Sequence, residues 1–372
     1  MERHFQNLDD ITFFVEEWSK GKKLYIFGAG AYGRTIGAFL NQKEIQWENY
    51  VDNNRDVQGT VIEGKKVIPF QNLLERKKDI VIIIGVLPIL KGTVCLEISR
   101  QLEENNIPSN RYLIFSENNM PLLANMLFSV KKPHKEMQQL KGLKNKYCGE
   151  KAFLLGNGPS LTIEDLEKIK GKKSFGCNGI LQLFEKTKWR PTGFFFGDPL
   201  FAKAHLKTKK DVWELANECD MVFTTINTWL FDWKEDRPSN LYFTFIRYDN
   251  SQNTWIEDDI ERGMCNGGTS LFPILQLMLY MGFSEIILLG VDFSFYREIK
   301  NGKMIINPEV QNHPQEMDQV LNGRYDVDKI LEAWICAKRY ADEHNVKIIN
   351  ASRNGKLEVF ERVDLDKVIT EW

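Results

Sequence analysis

The chain has 372 residues, a hydrophobic fraction of 43% and a formal net charge of −2 from 49 basic and 51 acidic side chains. This length predicts two domains, or three, and the hydrophobic fraction is sufficient for sizeable cores. Because there is no basic excess, nucleic acid is not an expected partner. The six cysteines lack C-x-x-C spacing, which excludes a zinc ribbon and indicates reduced thiols in a cytosol.

Neither a signal peptide nor a membrane-spanning segment is expected. The first ten residues are polar, and no apolar run reaches about 18 residues. We therefore expect a cytoplasmic protein. Peripheral contact with the inner face of the membrane stays open, as does a homo-oligomer. The lysine-rich residues 141–146 are most simply a solvated face, with contact to anionic lipid as the alternative.

A glycine-rich turn follows the first predicted strand. Residues 23–27 predict a buried strand, residues 28–33 read Gly-Ala-Gly-Ala-Tyr-Gly, and residues 34–40 have a helical pattern. This is G-x-G-x-x-G in strand–turn–helix context. A second predicted strand, 47–51, ends at Asp52, where an acidic residue would hold a ribose hydroxyl. Further strands at 80–85 and 114–115 complete a small Rossmann-like domain over residues 1–120. Two alternatives stay open for this domain. It binds a nucleotide or nucleotide-sugar, or it binds no ligand and has a structural role.

Residues 121–147 separate two apolar-rich halves of the chain. Pro121, Pro133 and the lysine-rich stretch interrupt the strand and helix patterns. We expect a linker here, followed by a second domain over residues 148–372.

The most informative segment is 153–161, with the sequence Phe-Leu-Leu-Gly-Asn-Gly-Pro-Ser-Leu. It predicts a strand, a tight turn and a helix N-terminus, an arrangement that directs backbone N–H groups and a helix dipole at an anion. Glycines allow a phosphate to approach the backbone, and Asn157 and Ser160 could add donors. No Gly-Lys-Ser/Thr follows, so the segment is not a P-loop.

Strands alternate with helices through the rest of the chain. Predicted strands at 174–179, 191–199, 221–225, 285–293 and 346–350 surround predicted helices at 271–281 and 329–343. This alternation predicts an α/β protein with two doubly wound parallel-sheet, Rossmann-like domains in tandem. Four polar residues lie just past predicted strand ends, where ligands of such sheets bind: Asn157, Asn178, Asp198 and Asp292. Residues 267–270, Gly-Gly-Thr-Ser, open a second helix suited to a phosphate or carboxylate.

The order of these motifs resembles two related groups of proteins. The motifs are Gly-Asn-Gly-Pro-Ser-Leu, Cys-Asn, Asp-Pro-Leu-Phe, Gly-Thr-Ser and Leu-Leu-Gly-Val-Asp-Phe, within residues 148–372. One group is the Campylobacter-type sialyltransferases of lipooligosaccharide synthesis. The other is the pterin-diphosphokinase-like domain family of bacterial surface-polysaccharide clusters.

The resemblance to the sialyltransferases implies a site for a CMP-sugar donor. The donor phosphate and ribose would lie at the turn formed by residues 156–160, and the nucleotide or donor sugar near Asn178. The donor phosphate or carboxylate would lie at residues 267–270, and cytidine near Asp292. The complete set of implied donor-binding residues is Gly156, Asn157, Gly158, Pro159, Ser160, Asn178, Gly268, Thr269, Ser270, Asp292 and Phe293.

The catalytic residues are less well defined, because the chain departs from the sialyltransferase pattern. That family has its general base in a Gly-His pair where this chain has Gly323-Arg324. His313 lies upstream in a long loop, 294–328, that we interpret as a lid. His313 is the candidate base, Asp198 is the alternative if it is buried, and Arg324 is the remaining catalytic candidate.

Three functions follow. The first is a glycosyltransferase that uses a nucleotide-activated, CMP-linked sugar and a glycan or lipid-linked acceptor. It would require neither cofactor nor metal, because a CMP-sugar carries one phosphate. The second is a 6-hydroxymethylpterin diphosphokinase-like enzyme using Mg²⁺ and ATP, with the metal held by Asp198 and Asp292. The third is a non-catalytic scaffold that binds a sugar nucleotide.

Overall fold

The computed structural model describes residues 2–3, 5–62, 64–75, 79–86, 92–115, 122, 126, 137–225, 237–247, 254–315, 317 and 325–372. The chain forms two compact units, Met1–Lys132 and Pro133–Trp372. Most of the predicted linker, and Arg324, lie outside the described residues. Residues Met137–Leu143 form a 3₁₀ helix that buries Met137, Leu140 and Leu143.

The first unit is a seven-stranded sheet with helices. Its strands are β1 (Glu2–Arg3), β2 (Lys23–Phe27), β3 (Tyr50–Val51), β4 (Val61–Ile62), β5 (Lys65–Ile68), β6 (Ile80–Ile84) and β7 (Tyr112–Phe115). Its helices are α1 (Leu8–Ser19), α2 (Ala31–Gln42), α3 (Gln71–Leu74) and α4 (Gly92–Glu104), with a 3₁₀ turn at Ser109–Arg111. The sheet order is β1-β7-β6-β2-β3-β5-β4. Only the β4–β5 pair is antiparallel among the described strands.

Strand β6 shows why this sheet is parallel and covered. All five of its residues are aliphatic and buried. Val81 and Ile83 belong to one hydrophobic cluster, whereas Ile80, Ile82 and Ile84 belong to another. Successive strand residues point to opposite faces, so the sheet is buried on both sides, as parallel sheets are.

The second unit contains the larger sheet. Its strands are β8 (Lys151–Leu155), β9 (Ser174–Cys177), β10 (Gly193–Phe196), β11 (Met221–Thr225), β12 (Leu241–Thr244), β13 (Ile246–Arg247), β14 (Met264–Cys265), β15 (Glu285–Leu289), β16 (Arg297–Lys300), β17 (Lys303–Ile306), β18 (Tyr325–Asp326), β19 (Lys347–Asn350) and β20 (Glu361–Arg362). Its α-helices are α5 (Ile163–Lys168), α6 (Pro199–His205), α7 (Lys209–Glu218), α8 (Leu271–Tyr280), α9 (Val327–Glu343) and α10 (Leu365–Thr370). Further 3₁₀ helices cover Asn178–Leu183 and Ile260–Arg262.

The main sheet of this unit runs β12-β11-β10-β9-β8-β15-β19-β20, and all its strand pairs are parallel. The chain winds outward from β8 to β12 and then returns through β15 to the other side. The strand order therefore reverses between β8 and β15, which makes their carboxyl ends the topological switch point. The predicted α/β fold class is confirmed.

The region 294–328, predicted as a loop, contains a second small sheet. Strands β16 and β17 pair in antiparallel register, and β18 pairs in parallel with β16. The turn at Asn301-Gly302 has positive φ at both residues, 49° and 69°. Those angles suit the type I′ turn that tight hairpins favour. None of the described helices is both long and apolar enough to cross a membrane.

Candidate functional site

A cavity of about 450 Å³ lies at the carboxyl ends of the main strands of the second unit, around the switch point. Most residues that the sequence singled out line it. These are Asn157, Gly158, Asn178, Asp198, Gly268, Thr269, Ser270, Asp292, Phe293 and His313. The structure thus brings together residues from four strand ends (β8, β9, β10 and β15), a helix N-terminus and the 294–315 segment.

The glycines after β8 are required by the crossing of two chain segments. A Cβ at Gly156 would collide with the backbone oxygen of Gly290, and one at Gly158 would lie 2.5 Å from Cγ of Asp292. Backbone hydrogen bonds run from Gly156 N to Leu289 O and from Gly158 N to Gly290 O, both at 2.8 Å. Close packing of β8 against β15 therefore explains these glycines without a bound phosphate. Gly156 does not line the cavity, whereas Gly158 does.

Ser160 orients Asp292. The Ser160 backbone N–H donates to Asp292 Oδ2 at 2.8 Å, and its hydroxyl donates to Asp292 Oδ1. The expected phosphate donors of Ser160 are thus already engaged, and neither Ser160 nor the exposed Pro159 lines the cavity. Burial raises the pKa of the Asp292 carboxyl, while the bonds from Ser160 and the charge of Arg353 oppose that rise.

Asn157 offers the cavity an unpaired acceptor. Its Nδ2 donates to the carbonyl oxygen of Cys177 at 3.1 Å. A carbonyl can only accept, so this bond fixes the amide orientation. The Oδ1 of Asn157 is consequently buried without a hydrogen-bond partner. A buried unpaired oxygen is costly, so this atom marks a place where a ligand would donate a hydrogen bond.

Asn178 lies beside it with a strained backbone. Its φ of 45° falls in the left-handed region. Its Nδ2 lies 3.2 Å from Ser270 Oγ, and its Oδ1 is also buried without a partner. Whichever way the amide is turned, one end is left for a ligand. Phe293 likewise has a positive φ, 53°, so two strained residues face one cavity.

The N-terminus of α8 also opens on the cavity, through Gly268, Thr269 and Ser270. Gly268 has a φ of 76°, and a Cβ there would come within 3.0 Å of Ile330 Cγ1, so the turn requires glycine. The Ser270 hydroxyl accepts from Asn178 and keeps its own O–H to donate. Within the first turn, Leu271 N donates to Thr269 Oγ1, Phe272 N donates to Thr269 O, and Pro273 has no N–H. The hydroxyls of Thr269 and Ser270 and the positive end of the α8 dipole are therefore what suits an anionic group.

His313 reaches the same cavity from the 294–315 segment. Its Nδ1 lies 3.0 Å from the backbone oxygen of Asn157. Since a carbonyl oxygen cannot donate, Nδ1 carries the proton, and in the neutral ring the lone pair is on Nε2. The structure therefore sets the tautomer that a general base needs and ties the ring to the turn after β8.

The other two catalytic candidates are less well supported. Asp198 lines the cavity but is exposed, and its Oδ1 accepts from Phe201 N at 3.4 Å, as a cap of α6. The expectation of a buried carboxyl at this position is not met. Arg324 lies outside the described residues.

Two aromatic side chains that the sequence analysis did not place in the site, Phe295 and Tyr325, form one wall together with the predicted Phe293. Phe295 stacks on Tyr325 with ring centroids 4.3 Å apart, and Phe293 meets Phe295 edge to face at 6.0 Å. All three line the cavity. Burial, and then the charge of Asp198, raise the pKa of the Tyr325 phenol. The Phe-Ser-Phe spacing of residues 293–295 was the available signal.

The first unit has a cleft of its own, of about 590 Å³, at its glycine-rich turn. Asp52 Oδ2 accepts from Ala29 N at 2.7 Å, and Oδ1 accepts from Asn54 N at 2.8 Å. Asp52 thus holds the turn in place through both oxygens. A Cβ at Gly33 would collide with Gly28 O, so this glycine is required by packing. Ribose binding by Asp52 stays a prediction.

Two family models match this chain, one in each half. Residues 124–298 match the family model described as 6-hydroxymethylpterin diphosphokinase MptE-like. Residues 20–113 match the model described as C2185-like, N-terminal. No curated protein matches the chain.

Several solved structures show a distant likeness. The sialyltransferase CstII from Campylobacter jejuni, in complex with cytidine-5′-monophosphate, has 14% identity and a TM-score of 0.31, covering 57% of this chain and 84% of its own. The MAf glycosyltransferase from Magnetospirillum magneticum AMB-1 has 16% identity and a TM-score of 0.37, covering 93% of this chain and 58% of its own. The monofunctional α-2,3-sialyltransferase Cst-I from Campylobacter jejuni has 14% identity and a TM-score of 0.31, covering 57% and 79%.

The resemblance to the pterin-diphosphokinase-like family, predicted over residues 148–372, is confirmed by the family model, which matches residues 124–298. The chain is thus similar to a C2185-like N-terminal domain over residues 20–113 and to an MptE-like domain over residues 124–298.

Proposed function

We propose that the Pro133–Trp372 unit is a glycosyltransferase that uses a nucleotide-activated sugar, with a CMP-linked acidic sugar as the expected donor. The observation that carries this proposal is the buried, unpaired Oδ1 of Asn157 in the cavity that also contains His313. That oxygen would accept a hydrogen bond from a ligand with N–H or O–H donors, such as an exocyclic amine, a ribose or a sugar. Phosphate alone would not satisfy it.

The rest of the cavity suits the other parts of such a donor. The α8 N-terminus with Thr269 and Ser270 fits the phosphate, and the wall of Phe293, Phe295 and Tyr325 gives a base or sugar ring an apolar surface. Asn157 and Asn178 follow β8 and β9, which are neighbours in the main sheet, and both line the same cavity. Nucleotide, phosphate and sugar would each have a complementary wall.

His313 supplies the base in this proposal. The acceptor hydroxyl oxygen forms a bond to the anomeric carbon of the donor sugar as the bond from that carbon to the phosphate oxygen breaks. The hydroxyl proton passes to Nε2 of His313, and the nucleotide leaves with the bonding electrons. The α8 N-terminus stabilises the departing phosphate charge. Such a step requires no redox partner.

The family description favours a second candidate, a diphosphokinase that would need Mg²⁺ held by carboxylates. The two carboxylates expected for that role fit poorly. Both oxygens of Asp292 accept from Ser160, and burial raises the pKa of Asp292. Asp198 is exposed and caps α6. Two Asp-x-Asp triplets, 326–328 and 364–366, begin with Asp326 and Asp364, which cap α9 and α10.

Calorimetric titration of the full chain distinguishes these functions. We expect heat with CMP in EDTA, and a loss of that heat in Asn178→Gly, which assigns it to this cavity and not to the first unit. Heat only with Mg²⁺ and ATP would favour the diphosphokinase. CMP binding without release of CMP from a CMP-sugar, in the presence of glycan acceptors, would favour the non-catalytic scaffold.

A further inference from the structure

The β16–β17 hairpin, residues 297–306, is a feature that the proposed reaction does not use. Its two strands pair from Arg297 with Ile306 to Lys300 with Lys303, and the Asn301-Gly302 turn closes it. Strand β17 pairs with β16 on one side, and within the described ranges no strand pairs with its other edge. Strand β17 is therefore an exposed edge of its sheet. Natural proteins usually protect such an edge with charged side chains or cover it with another segment.

Instead, β17 carries three consecutive apolar side chains that face solvent. Met304, Ile305 and Ile306 are 46%, 38% and 54% exposed. Successive residues of a strand point to opposite faces, so the apolar surface occupies both sides of the hairpin. A flat protein partner would cover one face and leave the other in water. A medium that surrounds the hairpin would remove all three side chains from water together.

The tip of the hairpin carries two lysines, and between them Asn301 N donates to Asp328 Oδ2 at 2.5 Å. Lys300 and Lys303 lie directly opposite each other across the turn, and both are exposed. Neither forms an ion pair with any residue that the structure describes. Like charges opposite one another are unfavourable in an antiparallel pair, so an anionic partner would stabilise this pair. Apolar side chains on both faces with lysines at the tip match the interface of an anionic bilayer.

We propose that the 297–306 hairpin inserts into the surface of an anionic lipid bilayer. Met304, Ile305 and Ile306 enter the boundary between headgroups and acyl chains, and Lys300 and Lys303 bind lipid phosphates.

By contrast, the lysine-rich residues 141–146 are engaged within the protein. Lys141 pairs with Glu261 at 3.5 Å, and the Lys144 ammonium lies 5.7 Å from the Tyr280 ring centroid.

The hairpin continues directly from the cavity wall. Phe295 lines the cavity two residues before Arg297, and Tyr325, which stacks on Phe295, pairs with Glu298 across the sheet. Insertion of the hairpin into the bilayer would hold the cavity next to the membrane surface. A lipid-linked acceptor in that membrane could then reach the cavity. The docking itself does not depend on the proposed transferase activity, because it is measured as vesicle binding.

Co-sedimentation of the full chain with vesicles tests the proposal. We expect binding to phosphatidylcholine vesicles that contain phosphatidylglycerol, and much weaker binding to phosphatidylcholine alone. Met304→Gln/Ile305→Thr/Ile306→Thr should lower the partition coefficient about 100-fold, because three apolar side chains no longer leave water. Lys300→Gln/Lys303→Gln should lower it about 10- to 30-fold on the anionic vesicles only.

Two controls keep the result interpretable. Val61→Thr/Leu96→Gln removes two side chains in the first unit that are 67% and 66% exposed, and it should bind like the parent chain. Thermal unfolding should show that the hairpin variants fold, since the altered side chains are exposed. Absence of vesicle binding, or equal binding by parent and triple variant, overturns the proposal. It is also overturned by dimers in analytical ultracentrifugation that the triple variant abolishes while vesicles bind neither form.

Discussion

Replacing Asn157 by alanine should separate ligand affinity from protein stability. The side chain makes one hydrogen bond to the protein, from Nδ2 to Cys177 O at 3.1 Å, and it buries one unpaired oxygen. Loss of the bond costs about 1 kcal/mol, whereas removal of the unpaired oxygen relieves a penalty of about 1–3 kcal/mol. The two terms oppose each other. We therefore expect the unfolding free energy of Asn157→Ala to lie within about 1 kcal/mol of that of the parent chain, or above it.

Affinity should change in one direction only. In the complex, the ligand donor that faced Oδ1 loses its partner, at a cost of about 1–3 kcal/mol, or roughly 5- to 150-fold in Kd. Calorimetric titration with CMP measures the affinity, and urea unfolding without ligand measures the stability. The expected signature is a weaker complex formed by a protein that is no less stable.

Asn240 provides a matched control of the same residue type. Its Nδ2 donates to Ala216 O at 2.8 Å and Cys219 O at 2.9 Å, and it does not line the cavity. Asn240→Ala should lose about 1–3 kcal/mol of unfolding free energy and keep its CMP affinity. The reasoning is refuted if Asn157→Ala binds CMP as the parent chain does. It is also refuted if Asn157→Ala loses stability as Asn240→Ala does, because the amide would then serve the fold.

Three further outcomes are expected. Asn178→Gly should raise the unfolding free energy by about 1 kcal/mol, because glycine accepts the φ of 45° without strain, while CMP binding weakens; loss of stability in urea unfolding would contradict this. His313→Ala should lower sugar-transfer turnover about 10²–10⁴-fold with nearly constant CMP affinity, and undiminished turnover would discard it as the base. Burial raises the pKa of the Cys177 thiol to about 12, so its reactive thiolate form is scarce below that pH. After brief iodoacetamide treatment at pH 8, mass spectrometry should find the exposed Cys148 modified and Cys177 unmodified. Rapid modification of Cys177 would contradict this burial and show an open site.

The sequence predicted the buried strands well. The predicted strands 23–27 and 221–225 coincide with β2 and β11, and the predicted strand 80–85 ends one residue beyond β6. Each is a nearly continuous apolar run, the pattern of a strand buried on both faces, and polar or turn residues bound it. Polar residues after such strands must lie at the same edge of a parallel sheet. This rule alone placed Asn157, Asn178 and Asp198 at one cavity.

Short and exposed elements were harder to predict. Strands β16 and β17 were predicted as loop, because these four-residue strands, one mostly half-buried and the other exposed, show no alternation of apolar and polar residues. Asn301-Gly302 was the local signal that could have identified the hairpin. The predicted strand 47–51 was reduced to Tyr50–Val51, because only those residues pair with neighbouring strands.

The sequence by itself determined which residue types stand at the strand ends, since periodicity and turn chemistry act over a few neighbours. Only the tertiary structure decided how those residues are used. Ser160 binds Asp292 across 132 positions, His313 meets the Asn157 carbonyl across 156, and Phe295 stacks on Tyr325. These pairings depend on how β8, β15 and the 294–315 segment pack. Packing is set by the sum of many distant contacts, so no local pattern of residues encodes it.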